Sequence, residues 1–289
     1  MKARVKGINN IMNITDFDEE RFEKAKEYVK NIEEQTHFSQ NLSVGRKMKK
    51  PVNSVSREGK TNIGGLSEGT LHLVLKYFLS PDNSYHEIKY GKNFIDVFIE
   101  NHAYEVQTAN FSSLKKKLGG LLCNIPVTIV YPVIREKYII WVNPETGKSS
   151  EPRKSPKKEN EYNIFYQLIY LRDYLLNENL SFCIAELSCT ESKLLCGKYT
   201  GGKKGSVRLN RVPQKLYSVK NYGSFRELCS ALIPETAGVT LKELCKGLCV
   251  KKPLAQRIMY VLKAAGFAQC TGKSGNEKIY CIKIIKEKL

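Results

Sequence analysis

The stretch from Phe94 to Gln107 limits what this chain can fold into more than any other. It alternates like two β-strands joined by a turn, yet it puts acids where apolar groups belong. Phe94, Asp96 and Phe98 would share one face of the first strand, and Ile95, Val97 and Ile99 the other. Asn101 and His102 supply the expected turn. On the return strand Tyr104, Val106 and Thr108 alternate with Ala103, Glu105 and Gln107. Asp96 and Glu105 are then carboxylates on a strand pair that is otherwise mostly apolar. An unpaired buried carboxylate is costly, so such acids call for a cation or donors as partners. Mg²⁺, typically held by one or two carboxylates, waters and a phosphate, is one solution.

The flanking segments add a pattern. Residues 66–79 read as a helix with Leu71, Val74, Leu75 and Phe78 on its apolar stripe, and Glu68 falls on that same stripe. Residues 110–122 carry Leu114, Leu118 and Leu121 at helical spacing. Residues 126–130 and 138–142 read as two strands. Each acid has a plainer alternative: a strand-end charge for Asp96, an edge contact for Glu105, and a first-turn charge favoured by the helix dipole for Glu68.

Taken together, these segments resemble the PD-(D/E)xK nuclease superfamily, the restriction-endonuclease-like fold. That family places an acid near the start of a strand and Glu-x-Lys about ten residues later on the next strand. Asp96 matches the first acid. Glu105, Val106 and Gln107 match the second element, with Gln in the Lys position and Ile95 where Pro is usual. The order helix, three strands, helix, strand resembles the family's αβββαβ core. The resemblance implies Glu68, Asp96, Glu105 and Gln107 as the catalytic set. It also implies Mg²⁺ or Mn²⁺ on Asp96, Glu105 and the Val106 carbonyl, with Glu68 orienting a second metal or its water. Gln107 can orient water or phosphate but brings no charge, so Lys115 or Lys117 is expected to supply it.

The formal net charge is +18, with 47 basic against 29 acidic residues, which points to a polyanion and most simply to nucleic acid. DNA is the expected partner, and charge alone does not separate it from RNA. No apolar run approaches membrane-spanning length and no signal-peptide core follows Met1, so a cytoplasmic protein without membrane contact is expected. The nine cysteines form no Cys-x-x-Cys pair. They read as reduced thiols packing as small hydrophobes, without structural zinc.

A length of 289 residues suggests two domains. The expected fold class is α/β, divided into three parts. Residues 1–62 hold a helix over 16–36, with Phe22, Ala25, Val29 and Ile32 on its stripe, and a basic connector over 39–62. Residues 63–218 hold the nuclease-like core. Within it 162–176 reads as a helix, 180–187 as a strand, and 197–211 as a Gly/Lys-rich loop or hairpin carrying Lys203, Lys204, Arg208 and Arg211. Residues 222–289 hold three short helices: one marked by Phe225, Leu228 and Leu232, one opened by the Thr240/Glu243 capping box, and one with Pro253 in its first turn and Gly266 at its end. Two strands follow, over 267–270 and 278–282. This part resembles a winged helix-turn-helix, whose third helix usually enters the major groove. Lys252, Gln256, Arg257 and Lys263 would face outward, with Lys273 and Lys278 on the wing.

The combined expectation is a metal-dependent endonuclease acting on DNA. Lys115, Lys117, Lys203, Lys204, Arg208, Lys252, Gln256, Arg257 and Lys273 are the expected DNA contacts. Two rivals stay open: a non-catalytic DNA-binding regulator on a degenerate nuclease fold, and an RNA-processing nuclease. A homodimer is among the assemblies left open.

Overall fold

The computed structural model describes residues 17–44, 69–108, 110–200 and 203–284. The elements run α1 (Glu19–Val44), α2 (Thr70–Leu79), β1 (His86–Tyr90), β2 (Asn93–Ile99), β3 (His102–Val106), α3 (Phe111–Leu121), β4 (Val127–Val142), β5 (Arg153–Lys154), α4 (Phe165–Leu168), β6 (Leu180–Thr200) and β7 (Lys203–Tyr222). After these come α5 (Phe225–Leu232), β8 (Thr236–Thr240), α6 (Leu241–Gly247), α7 (Lys252–Ala264), β9 (Ala268–Ser274) and β10 (Glu277–Ile282). The chain is a mixed α/β structure. One large sheet has the order β1-β2-β3-β4-β6-β7, with β5 beside β4, and a small one has the order β8-β10-β9.

In the large sheet β1, β2 and β3 meander antiparallel, while β3–β4 and β4–β6 are parallel steps. A parallel step needs a crossover, and α3 supplies the one from β3 to β4. Both faces of the sheet are covered. On one side Phe22 and Val29 of α1, with Val74, Leu75 and Phe78 of α2, pack on Val97, Val106, Val130 and Leu187. The rings of Phe22 and Phe78 meet edge to face at 5.9 Å. On the other side Leu114, Leu118 and Leu121 of α3 and Phe165 and Leu168 of α4 cover Ile129, Val133 and Phe182. Among the described residues no helix is long and apolar enough to cross a membrane.

Several expected boundaries change. The hairpin turn lies at Glu100 and Asn101, one residue earlier than expected. Both have positive φ, 48° and 62°, which suits the two-residue turns that match strand twist. The strands expected at 126–130 and 138–142 are one strand, β4. The charged run between them reads as a break, but a register shift between Ile134 and Glu136 absorbs it and the ladder to β6 continues. The helix expected over 162–176 is shorter, with 3₁₀ turns at Glu161–Ile164 and Ile169–Leu171 flanking α4. The strand expected over 180–187 runs on to Thr200. The loop expected over 197–211 is largely β-ladder, pairing β6 with β7 antiparallel. Of the three segments after residue 222, the helices lie as expected, and β8 is an added strand. The helix expected to begin at residue 66 is described from Thr70. The helix expected over 16–36 runs on to Val44, so the start of the connector expected over 39–62 is helix, and the rest of it, 45–62, lies outside the described residues.

The last segment is fastened to the large sheet by aromatic packing. The Phe225 ring sits 6.4 Å from Phe182 on β6 and stacks at 5.7 Å on Phe267. Tyr162 donates its hydroxyl to the Leu232 carbonyl at 3.1 Å, and Arg172 donates to the Tyr260 hydroxyl at 2.8 Å. Helix α7 buries Leu254, Ile258 and Leu262 in the same apolar cluster as α4. Phe225→Ala should lower stability by about 3–5 kcal/mol. It should also split one denaturant unfolding transition into two. A single transition at the wild-type midpoint would show that this ring does not couple the two parts.

Candidate active site

The hairpin ladder pairs Ile99 with His102, Phe98 with Ala103 and Val97 with Tyr104, and it stops there. Beyond it the Asp96 side chain takes over as acceptor: its Oδ2 receives the Val106 N–H at 2.8 Å. Strict alternation is lost at this point. Ile95 enters the cluster under α3 while Val97 enters the one under α2, so the two do not share a face as expected. Asp96 is therefore held where β2 and β3 part, rather than on a regular strand face.

Glu105 lies at the same end of β3 and is 1% exposed. Its Oε2 accepts from the Lys117 ammonium at 2.5 Å, while its Oε1 is buried with no partner among the described residues. Burial pushes the Glu105 carboxyl up to about 8, the charge on Asp96 adds to this, and Lys117 pulls the other way. The upward direction is the one burial dictates, since a single ammonium does not offset both desolvation and a neighbouring carboxylate. Asp96 is also approached by the His72 Nε2 of α2 at 3.4 Å. Thus α2 and α3, on opposite faces of the sheet, each send one basic side chain to the carboxylate pair.

The expected site residues divide accordingly. Asp96, Glu105 and Lys117 come together. Val106 contributes the N–H to Asp96. Gln107 follows directly, and its own N–H donates to the Val130 carbonyl at 2.9 Å. Lys115 does not reach the acids: it pairs with Asp173 at 2.5 Å. It lies off the Leu114/Leu118/Leu121 stripe, whereas Lys117 is three residues after Leu114 and four before Leu121, on the inward side. Glu68 lies outside the described residues, as do the side chains of Lys203 and Lys204. Lys252, Gln256, Arg257, Lys263, Lys273 and Lys278 are all exposed.

Two features escaped the sequence. His72 is one, although its place one residue after Leu71 on an apolar helix was a usable signal. The other is Glu191 on β6, a buried carboxylate ringed by Arg211 at 3.1 Å, Lys193 at 3.3 Å, Arg208 at 3.7 Å and Lys137 at 3.9 Å. Burial alone would raise its pKa, but these cations, Lys137 and Arg211 foremost, hold it below the usual carboxylate range. Arg208 and Arg211 also line a cleft of about 620 Å³ that His72, Thr108, Tyr131 and Tyr166 share.

Among the described residues no three His, Cys, Asp or Glu side chains gather at metal-holding distance. Two carboxylates suffice for Mg²⁺ when water and substrate phosphate complete the shell. The orphaned Oε1 of Glu105 is the kind of buried acceptor a cation would satisfy.

Residues 69–222 match the family model described as a domain of unknown function, DUF8091. The chain belongs to this family. An uncharacterized protein of Treponema pallidum (strain Nichols) is 31% identical over 225 residues, covering 74% of this chain and 84% of the relative. No solved structure matches. The DUF8091 span opens at the residue before α2 and closes with β7, so it contains the carboxylate pair, Lys117, His72 and the Glu191 ring.

The raised Glu105 carboxyl makes stability depend on pH with a definite sign. The folded state keeps a proton that the unfolded chain releases near the ordinary glutamate value of 4.5. Stability should therefore be highest below that value and fall as pH rises to about 8. Glu105→Gln, which still offers Lys117 a carbonyl acceptor, should flatten this part of the profile. Melting temperatures measured from pH 4 to 9 in both proteins check it. Parallel profiles would mean that Glu105 stays ionised in the native state.

Proposed function

We propose that this chain is a metal-dependent phosphodiesterase, an endonuclease acting on DNA, built on a PD-(D/E)xK-type core. The observation that carries the reading is the carboxylate pair: Asp96 and Glu105 meet at the point where β2 and β3 diverge, with one Glu105 oxygen unpartnered. The element order α2, β1, β2, β3, α3, β4, with a parallel β3–β4 step, supports the αβββαβ comparison. Asp96, Glu105 and the Val106 carbonyl would hold Mg²⁺ or Mn²⁺, and by the same resemblance Glu68 would orient a second metal or its water. A divalent cation there would lower the pKa of a bound water and neutralise charge on the phosphate.

The chain's own residues do the rest. Asp96 is fixed by the Val106 N–H. Glu105 must give up its proton to bind a cation, so affinity rises with pH through the range in which it titrates. Lys117 brings the positive charge that the family takes from the strand position, here Gln107. Gln107 keeps an amide for orienting water or phosphate. The segment after residue 222 is read as a winged helix-turn-helix in which Lys252, Gln256, Arg257 and Lys263 of α7 and Lys273 of β9 contact duplex backbone.

One observation favours a second reading, a non-catalytic DNA-binding scaffold. Burial favours a protonated Glu105 and Lys117 already donates to its Oε2, so the pair is tolerable without a metal. Cleavage decides between them. Asp96→Asn and Glu105→Gln should each reduce Mg²⁺- or Mn²⁺-dependent cleavage of plasmid DNA by at least about a hundredfold. Both should still bind DNA. Wild-type protein that binds DNA but cleaves none with either ion would leave the scaffold. Separately, Arg257→Ala should weaken duplex binding and lower the slope of log affinity against log salt by about 1. An unchanged slope would remove α7 from the interface.

A further inference from the structure

The cleft beside the carboxylate pair has a built chemistry that the proposed reaction does not use. Its walls carry Arg208 and Arg211 on one side and Tyr166, Asn163 and Gln167 on the other, and His72 joins it to Asp96. Arg211 is committed to Glu191 through a 3.1 Å hydrogen bond. Arg208 is not: its nearest approach is the 3.7 Å contact with the same carboxylate, and it is half exposed. That separation is too long for a hydrogen bond, so among the described residues its guanidinium has donors to spare. Arg208 and Arg211 line the cleft, and among the described residues Glu159 is its one lining acid, so the described wall keeps a positive surplus.

The opposite wall has a different character. Asn163 and Gln167 each use the amide oxygen within the fold, accepting from the backbone N–H of Asn160 at 3.0 Å and of Phe111 at 3.2 Å. Their amide NH₂ groups have no partner among the described residues. Tyr166 offers a partly exposed ring. Cations on one side, with an aromatic ring and amide donors on the other, are what a nucleotide uses: phosphate to guanidinium, base to ring and amide. A stacked duplex cannot present a base to such a wall. A cleft of about 620 Å³ falls in the range that takes a small organic ligand.

We propose that this cleft binds an unpaired nucleotide of a single-stranded segment, with its phosphate on Arg208 and its base against Tyr166, Asn163 and Gln167. The proposal deepens the nuclease reading and rests on it for the nearby scissile phosphate. It makes the preferred substrate one that contains unpaired residues, with duplex contacts left to the α7 side. Arg208 is a binding residue here, outside the carboxylate pair.

The test is binding by the full-length protein in EDTA, so that no cleavage is needed. Fluorescence anisotropy compares a labelled 12-nucleotide single strand with the same strand annealed to its full complement. Arg208→Ala and Tyr166→Ala should each weaken single-strand binding roughly tenfold and change duplex binding by no more than about twofold. Arg208→Lys should restore part of the loss, and Arg208→Ala should lower the single-strand salt slope by about 0.7. Leu209→Ala, on the same rim, should leave both affinities unchanged. Equal losses on single strand and duplex, or none on either, would overturn the proposal. A selective loss in a protein that never cleaves would sustain the cleft and discard the phosphodiesterase. Cleavage by the wild type together with an indifferent Arg208 would discard the cleft alone.

Discussion

The hydrogen bond from the Val106 N–H to the Asp96 carboxylate is the contact on which the site depends. At the end of a strand pair a buried N–H needs some acceptor, because leaving it orphaned costs about 1–3 kcal/mol. The hairpin supplies a side chain where the ladder would supply a carbonyl. That exchange lets β2 and β3 separate without a buried unsatisfied donor, and it pins Asp96 at the point of separation. Glu105, one residue before Val106, is then held in the same dry corner. Two carboxylates in such a place cannot both stay charged cheaply. Burial raises the Glu105 carboxyl most, and the retained proton falls there.

The basic partners of the carboxylate pair come from helices α2 and α3. Position 107, where a strand cation would stand, is Gln. Lys117 replaces it from α3, and its position on that helix explains why it reaches the site. It sits on the apolar side, between Leu114 and Leu121, so its stem runs along the covered face before the ammonium meets Glu105. Lys115 leaves the helix in another direction and pairs with Asp173. Two lysines two residues apart thus have unrelated roles, and helical spacing alone tells them apart.

Much of the core was legible in the sequence because it follows simple periods. The stripe of α2, the leucines of α3, the hairpin and the capped helices after residue 222 all lie where apolar spacing and capping residues put them. The losses have one physical origin. Past Ile134 on β4 and past Glu191 on β6 the strands are only partly buried where they pair with each other. There the ladder is satisfied by backbone alone, so charged residues and glycines are tolerated and the alternation signal disappears. The sequence over 197–211 therefore looked like a loop although most of it is strand. The same reasoning accounts for the site. Asp96 and Glu105 stood out because they interrupt apolar strands. Glu191 did not, since its neighbours in sequence are polar and its four cations come from β4, β6 and β7, brought together only by register.

That register gives the excess positive charge a structure. A cation on an exposed strand is ordinarily loose and solvated, worth little to stability. Glu191 changes this by being buried: a carboxylate there must be compensated, and each compensating side chain is drawn in and given a direction. Arg211 spends its Nε on that carboxylate, and Lys193 and Lys137 approach it from β6 and β4. Arg208, the outermost, is aligned by the same charge without being consumed by it. The acid thus organises a basic wall on one side of the cleft that His72 links to Asp96. One buried carboxylate sets the direction of the cations around it, just as Glu105 draws Lys117 in from α3.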